Sequence, residues 1–127
     1  MGRNNRTAGN SYERKIVNEL KELGFTDAVT TRSESRNMDN RGVDIMGDNL
    51  PIYIQCKNSQ NTPNIHDLLT SKLLPKSKPV VIFHKKTKKA SKNFVVQGEY
   101  IYLKKEDFYN MLNDLNNKGE CETDSKS

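Results

Sequence analysis

The amino-acid sequence predicts a mixed α/β domain in which a central mixed β-sheet is flanked by helices. Two observations lead to this fold class. Apolar residues recur at helical spacing in three segments, and short strand-like apolar runs lie between those segments. The chain has 127 residues, 33% of them hydrophobic, which is enough for one domain with a small core. No apolar run approaches the roughly 18 residues of a membrane span, so we expect no membrane partner.

The first predicted helix covers residues 10–23. Asn10 is a suitable N-cap, and Glu13, three residues later, completes a pattern like the capping box. Gly24 follows as a stop signal for the helix. The residues at helical spacing form one apolar stripe that faces the core, made of Ile16, Val17, Leu20 and Leu23.

Strands and further helices follow in an order typical of a sheet covered by helices. A polar loop is expected at 32–42, and the wholly apolar run at 79–84 predicts a buried strand. The remaining predicted elements are strands at 25–31, 43–46 and 52–57, a helix from 65 that ends before Pro75, a hairpin of 94–97 with 100–103 across Gly98-Glu99, and a helix at 105–116. The last helix has an apolar face that we expect to pack on the core, with a dimer contact as the second choice, formed by Phe108, Met111, Leu112 and Leu115.

Composition divides the chain into a basic flexible arm at 1–9, a single domain at 10–117 and a disordered polar tail at 118–127. The net charge of +5 favours a polyanion partner, most often nucleic acid. The first residues lack the apolar stretch of a signal peptide. Cys56 and Cys121 show neither metal-ligand spacing nor a disulfide framework, so we expect a reducing cytoplasm.

The segment 42–57, GVDIMGDNLPIYIQCK, predicts a hairpin with chemistry on one face. If Asp48-Asn49 is its two-residue loop, Asp44 lies opposite Tyr53 and shares a face with Gln55 and Lys57. The other face is apolar throughout, with Val43, Ile45, Ile52, Ile54 and Cys56. In this register Asp44 and Gln55 are diagonal neighbours, about 7–8 Å apart between Cα atoms, which leaves room for one cation.

Oxygen donors on this face predict a metal site. The Asp44 carboxylate, the Gln55 amide oxygen and the backbone carbonyl of Cys56 are hard ligands that suit Mg²⁺ or Mn²⁺. Glu13 adds a further carboxylate if the first helix packs beside the sheet. Lys57 would stand next to the metal, where it can orient a water or stabilise charge on a phosphate oxygen.

These residues, namely Glu13, Gly42–Ile45 and Gln55–Lys57, resemble the PD-(D/E)XK nuclease superfamily. Within it the chain is similar to the small Holliday junction resolvases of archaea and phages, which have an early Glu in a G-x-x-x-E-R context, here Gly9 to Arg14. The resemblance covers residues 8–84. It implies a restriction-endonuclease-like αβββαβ core. It also implies a homodimer that cuts four-way DNA junctions with Mg²⁺, or Mn²⁺ as a substitute, in a prokaryotic or phage-infected cell.

The resemblance implies a role for each site residue: Glu13 as the helix carboxylate, Asp44 as the central metal ligand and Lys57 as the catalytic lysine. Gln55 stands where the family usually has a second carboxylate, so the oxygen is kept but a charge is lost. The Q-x-K form is also similar to Mrr-type restriction endonucleases. An Mrr-like or other structure-specific nuclease is therefore the first alternative, and a non-catalytic DNA-binding module that kept the fold is the second.

Basic and hydroxyl side chains elsewhere are candidate contacts to DNA phosphates. Five lysines lie within eight residues directly after the run at 79–84. The alternative is an ordinary solvated loop at 32–41 and a solvated charge run at 85–92. Either Ser33 or Ser35 would match the family's loop serine. The predicted DNA-binding residues are Arg3, Arg6, Arg14, Arg32, Ser33, Ser35, Arg36, Arg41, Lys85, Lys86, Lys88, Lys89 and Lys92.

Overall fold

A computed structural model describes the backbone of residues 5–126 and the side chains of residues 10–117. The helices are α1 (Asn5–Glu22), α2 (Thr31–Glu34), α3 (Arg36–Asn40), α4 (Ile65–Thr70) and α5 (Lys105–Lys126). The strands are β1 (Val29–Thr30), β2 (Ile45–Met46), β3 (Tyr53–Ser59), β4 (Val80–Ala90) and β5 (Asn93–Tyr102).

The five strands form one mixed sheet in the order β1-β2-β3-β4-β5. β3 and β4 run parallel and are connected through α4, whereas the other neighbours are antiparallel. α1 lies on one face, where Tyr12, Ile16 and Leu20 pack with Ile45 and Ile54 in the main core. The predicted class, a mixed sheet flanked by helices, is therefore confirmed.

The first helix begins earlier than predicted. Asn10 lies inside α1, so its prediction as the N-cap is wrong, and Glu13 is not in the first turn. Gly9 is the weakest helix former between 5 and 10, and one such glycine costs only about 1 kcal/mol, too little to delay the helix. Leu23 follows the last helical residue and is 74% exposed, so it does not belong to the core stripe.

The segment 32–42 is helical, which corrects the prediction of a loop. It forms α2 and α3, which are separated by Ser35. The Ser35 hydroxyl oxygen accepts a hydrogen bond from the backbone N–H of Met38 at 3.3 Å and thereby caps α3. Gly42 adopts a φ of +89°, a left-handed conformation that suits glycine and leads the chain from α3 toward β2.

The β2–β3 hairpin has a wider turn than predicted. Ile45 pairs with Ile54, two residues away from the predicted register. The turn is held by Lys78, whose ammonium donates to the backbone carbonyls of Gly47 and Leu50 at 2.8 Å each, a contact from a distant part of the chain. Because side chains alternate with period two, a two-residue shift leaves every side chain on its predicted face.

The second hairpin also differs from the prediction. β5 is one continuous strand through Gly98, and the chain turns at Ser91-Lys92 between β4 and β5. Lys86 pairs with Gly98 and Thr87 with Val96, so the glycine lies next to a bulge rather than in a turn. The predicted buried strand at 79–84 is correct, but β4 continues through the lysines to Ala90.

α5 does not bury its apolar face within the described structure, so the prediction of core packing is wrong for most of it. Phe108 is 47% exposed, Leu112 45% and Leu115 65%. The side chains of the predicted arm (1–9) and tail (118–127) lie outside the described residues, and those two assignments stay predictions. Within the part of the chain that is described, no helix is long and apolar enough to cross a membrane.

Candidate functional site

Asp44 is fixed at the start of β2 by backbone hydrogen bonds to β3. Its N–H donates to the carbonyl of Ile54 at 2.8 Å, and its carboxylate accepts from the N–H of Cys56 at 2.7 Å. These two bonds bracket Gln55 in the sequence. The shifted register therefore keeps Asp44 beside Gln55, as the hairpin face predicted.

The Asp44 carboxyl is largely withdrawn from water. Burial raises its pKa to about 6, the N–H of Cys56 opposes that rise, and the negative charge of Glu13 adds to it. Lys57 lowers the Asp44 pKa, so Glu13 and Lys57 both act electrostatically on this carboxyl. A cation beside Asp44 would offset the cost of burying its charged form.

Gln55 provides an acceptor that the protein leaves unused. Its side chain is only 7% exposed, and its amide oxygen Oε1 has no hydrogen-bond partner among residues 10–117. Its Nε2 lies 3.1 Å from the position that a Cβ would occupy at Gly42, with Leu74 also adjacent. Since buried polar atoms are nearly always paired, this orphaned oxygen indicates a missing ligand, an ordered water or a cation.

Glu13 makes a contact that the sequence did not indicate. Its buried carboxylate, 5% exposed, receives two hydrogen bonds from Arg32, from Nε at 3.2 Å and from the terminal Nη2 at 3.3 Å. Arg32 is the first residue after Thr31 in α2, and its guanidinium pKa is raised mainly by this hydrogen bond. The ion pair offsets part of the charge that Glu13 would bring to a metal.

Lys57 lies in β3 opposite His84 in the parallel register, and its side chain is partly buried. Its ammonium has no ion pair within residues 10–117. The neighbouring Cys56 thiol has a raised pKa because it is buried, so it remains neutral and is not a thiolate ligand. Only its backbone carbonyl remains as a possible donor, as predicted.

The donor set fits a hard divalent cation in part. Asp44 and Gln55 lie opposite each other in the β2–β3 register and offer two oxygen donors, and waters can complete an octahedron. Among the described residues, however, no group of three or more His, Cys, Asp or Glu side chains is close enough to hold a metal. A metal held by Asp44 and Gln55 would therefore depend on a single carboxylate, an amide, a backbone carbonyl and water.

The predicted phosphate contacts in α1–α3 have mixed surroundings. Arg14 and Arg36 are exposed. The Ser33 hydroxyl bonds to Thr30, and the Arg41 guanidinium donates to the carbonyl of Leu73 at 3.0 Å. Ser35 serves as the α3 cap described above, so neither serine is identified as the family's loop serine. Arg3 and the side chain of Arg6 lie outside the described residues.

The lysine run does not form a single patch. Lys85 lies over the ring of Tyr12, 5.7 Å from its centroid, and Lys86 donates to the carbonyl of Gln60. Lys88, Lys89 and Lys92 are exposed at the end of the β4–β5 hairpin. The prediction placed the whole run after the buried strand at a sheet end, whereas Lys85 to Lys89 lie within β4, whose last four residues pair only with β5.

Thr31 supports Asp44 and was missed from the sequence. It is fully buried, its N–H donates to the carbonyl of Asp44 at 2.9 Å, and its hydroxyl donates to the carbonyl of Val43 at 2.6 Å. The sequence offered one clue, because Thr31 directly precedes the arginine-rich segment. Its contact with Asp44 could not be predicted, since it depends on the short helix α2. Arg32 was predicted as a phosphate contact, whereas its observed partner is Glu13.

The comparisons with known proteins add nothing to this description. Neither a protein-family model, nor a curated protein, nor a solved structure matches this chain. The resemblance to PD-(D/E)XK nucleases therefore rests on the residues of this sequence alone.

Proposed function

We propose that this chain is a Mg²⁺-dependent DNA endonuclease that resolves four-way DNA junctions as a homodimer. One observation carries the proposal: Asp44 and Gln55 lie opposite each other in the β2–β3 register, and the buried amide oxygen of Gln55 has no partner among residues 10–117. Lys57 acts electrostatically on the partly buried carboxylate of Asp44. Oxygen donors that can hold a cation, with a lysine near them, are groups that metal-assisted hydrolysis of a phosphodiester uses.

The residues divide the chemical work. Asp44 and Gln55 would hold the cation, with the carbonyl of Cys56 as a third donor. Bound Mg²⁺ would supply Lewis-acid activation of water and neutralise phosphate charge. The Lys57 ammonium would donate to a non-bridging phosphate oxygen, where negative charge grows in the transition state. Glu13 is paired with Arg32, so it would add negative potential near the cation and would not itself be a ligand.

The homodimer would use α5. Phe108, Leu112 and Leu115 follow an i, i+4, i+7 pattern and are all largely exposed, which is typical of a helix that packs on another helix. A two-fold dimer would bring two equivalent sites to one junction, as paired cuts require. We place this activity in the cytoplasm of a prokaryotic or phage-infected cell.

A second candidate function is a DNA-binding module without turnover. The Arg32–Glu13 ion pair favours it, because Glu13 is engaged by Arg32 and Asp44 is then left without a second carboxylate with which to share a metal. An Mrr-like or other structure-specific nuclease remains the alternative within the enzyme class, since the Q-x-K form of residues 55–57 is similar to that of Mrr-type restriction endonucleases.

A substrate panel distinguishes these functions. Four-way, duplex and single-stranded DNA are incubated with the protein in Mg²⁺, Mn²⁺ or EDTA, and the products are separated on denaturing gels. We expect symmetric nicks in the junction alone, with none in EDTA. Equal cutting of all duplexes would favour the general nuclease. Junction binding without cutting in either metal would refute the enzyme and favour the binding module.

A further inference from the structure

The β4–β5 hairpin extends beyond the rest of the sheet. β3 ends at Ser59, which pairs with Lys86, whereas residues 87–90 and 93–96 pair only with each other. We call residues 87–96 the ribbon tip. At about 3.3 Å per residue, its β4 strand projects roughly 13 Å past the end of β3.

The ribbon tip combines positive charge with exposed apolar side chains. Residues 87–96 contain three lysines and no Asp or Glu. Phe94 is 55% exposed, Val95 50% and Val96 51%, although all three lie in a strand. In the strand register Lys89 pairs with Phe94 and Lys88 with Val95, so two of these three apolar side chains have a lysine as their cross-strand neighbour.

This pairing has a specific chemical complement. Lysines bind phosphates, and an exposed aromatic ring stacks on the flat face of a nucleobase. Inside a duplex both faces of each base are already stacked on neighbouring bases. An aromatic side chain can stack there only if two neighbouring base pairs are first separated. Unstacked bases flanked by phosphates occur where DNA strands separate or cross. An acidic protein would pair with the lysines but would leave the aromatic ring without a stacking partner.

The ribbon tip also lies in reach of the candidate site. Lys57 pairs with His84, and six further residues of β4 lead to Ala90 at the turn. That distance is on the order of 20 Å, or about six stacked base steps at 3.4 Å each. A phosphate at Lys57 and a base at the ribbon tip can therefore belong to the same branched DNA molecule.

We infer that the ribbon tip binds the branch point of DNA, with Phe94 stacked on an unpaired base and Lys88, Lys89 and Lys92 on the adjacent phosphates. The inference rests on the proposed function only in taking DNA as the ligand. It requires neither a metal nor cleavage, so its test is made in EDTA and is independent of whether the protein cuts.

The probe is a four-way junction with 2-aminopurine at the branch point, compared with a duplex of the same arm sequence, in binding titrations without metal. Phe94→Ala should weaken junction binding at least about 5-fold and leave duplex binding unchanged, because the unpaired base loses its stacking partner. Phe94→Trp should retain the affinity. Lys88→Ala/Lys89→Ala/Lys92→Ala should weaken binding to both DNAs and reduce the salt slope by roughly three.

Ile101→Ala is the matched control, because it removes an equally exposed apolar side chain, at 55%, from β5 outside the ribbon tip. The fluorescence of 2-aminopurine should change on binding of wild type and of Ile101→Ala, but not on binding of Phe94→Ala. Equal losses of junction affinity in Phe94→Ala and Ile101→Ala would overturn the inference. So would a Phe94→Ala variant that changes the oligomeric state in light scattering but binds the junction as wild type does.

Discussion

Substitution of Arg32 by Gln should destabilise the protein more than substitution of its partner Glu13 by Gln. The two side chains form one ion pair, but their exposures differ: the Glu13 side chain is 5% exposed and that of Arg32 37%. Arg32→Gln leaves a buried carboxylate without its counter-ion. Glu13→Gln leaves a guanidinium that water can reach.

The magnitude follows from that asymmetry. Breaking a fully buried ion pair by removing one partner costs about 3–5 kcal/mol. Because water reaches Arg32, we reduce this to about 1–3 kcal/mol for Arg32→Gln, and expect less than about 1 kcal/mol for Glu13→Gln. For a domain of this size the first value lowers Tm by on the order of 5–10 °C.

The assay is urea unfolding of wild type, both single variants and the double variant, followed by circular dichroism. The double variant should recover most of the stability that Arg32→Gln loses, since the buried charge is gone. Equal losses in the two single variants, or additive losses in the double variant, would refute the proposed role of Arg32 as counter-ion to a buried Glu13.

Three further predictions concern Asp44 and its neighbours Gln55 and Gly42. Burial raises the Asp44 pKa from 3.8 to about 6, so the folded state binds more protons than the unfolded state between these two pH values, and the free energy of unfolding falls by on the order of 2–3 kcal/mol as the pH rises through them. Asp44→Asn should therefore be more stable than wild type near neutral pH. The same dependence of unfolding free energy on pH in both proteins would contradict the raised pKa. Gln55→Glu should tighten Mn²⁺ binding at least several-fold in calorimetry, because a carboxylate replaces the orphaned amide oxygen, and unchanged binding would exclude Gln55 as a ligand. Gly42→Ala should cost about 1–2 kcal/mol, because φ is +89° and the new Cβ would lie 3.1 Å from Nε2 of Gln55, and an unchanged melting temperature would refute that.

The sequence correctly predicted the parts of the fold that depend on residues close together in the chain. The helical stripe of Ile16, Val17 and Leu20 and the apolar run ending at His84 are buried as expected. The faces of the β2–β3 hairpin were also correct, since a register error of two residues does not exchange them. Asp44 and Gln55 were therefore placed together for a sound physical reason, although the turn between their strands was wrong.

The errors came from contacts between distant residues. The wide turn between β2 and β3 is held by Lys78, which is 28 residues after Leu50. Nothing in the sequence near residues 47–50 indicates this distant contact. The ion pair of Arg32 with Glu13 joins residues 19 apart and requires α2, a single helical turn with no apolar periodicity. Gly98 indicated a turn by its type, but the turn formed at Ser91, which adopts a φ of +58°.

The most direct test of the metal-dependent site is single-turnover cleavage of a four-way junction by wild type, Asp44→Ala and Lys57→Ala in Mg²⁺. Gel shifts in EDTA would first establish that all three proteins bind the junction. We predict paired symmetric nicks with wild type and a loss of at least about a hundredfold in rate for each variant, as expected when charge stabilisation in the transition state is removed. Cleavage by either variant at the wild-type rate would contradict the assignment of Asp44, Gln55 and Lys57 to the catalytic site.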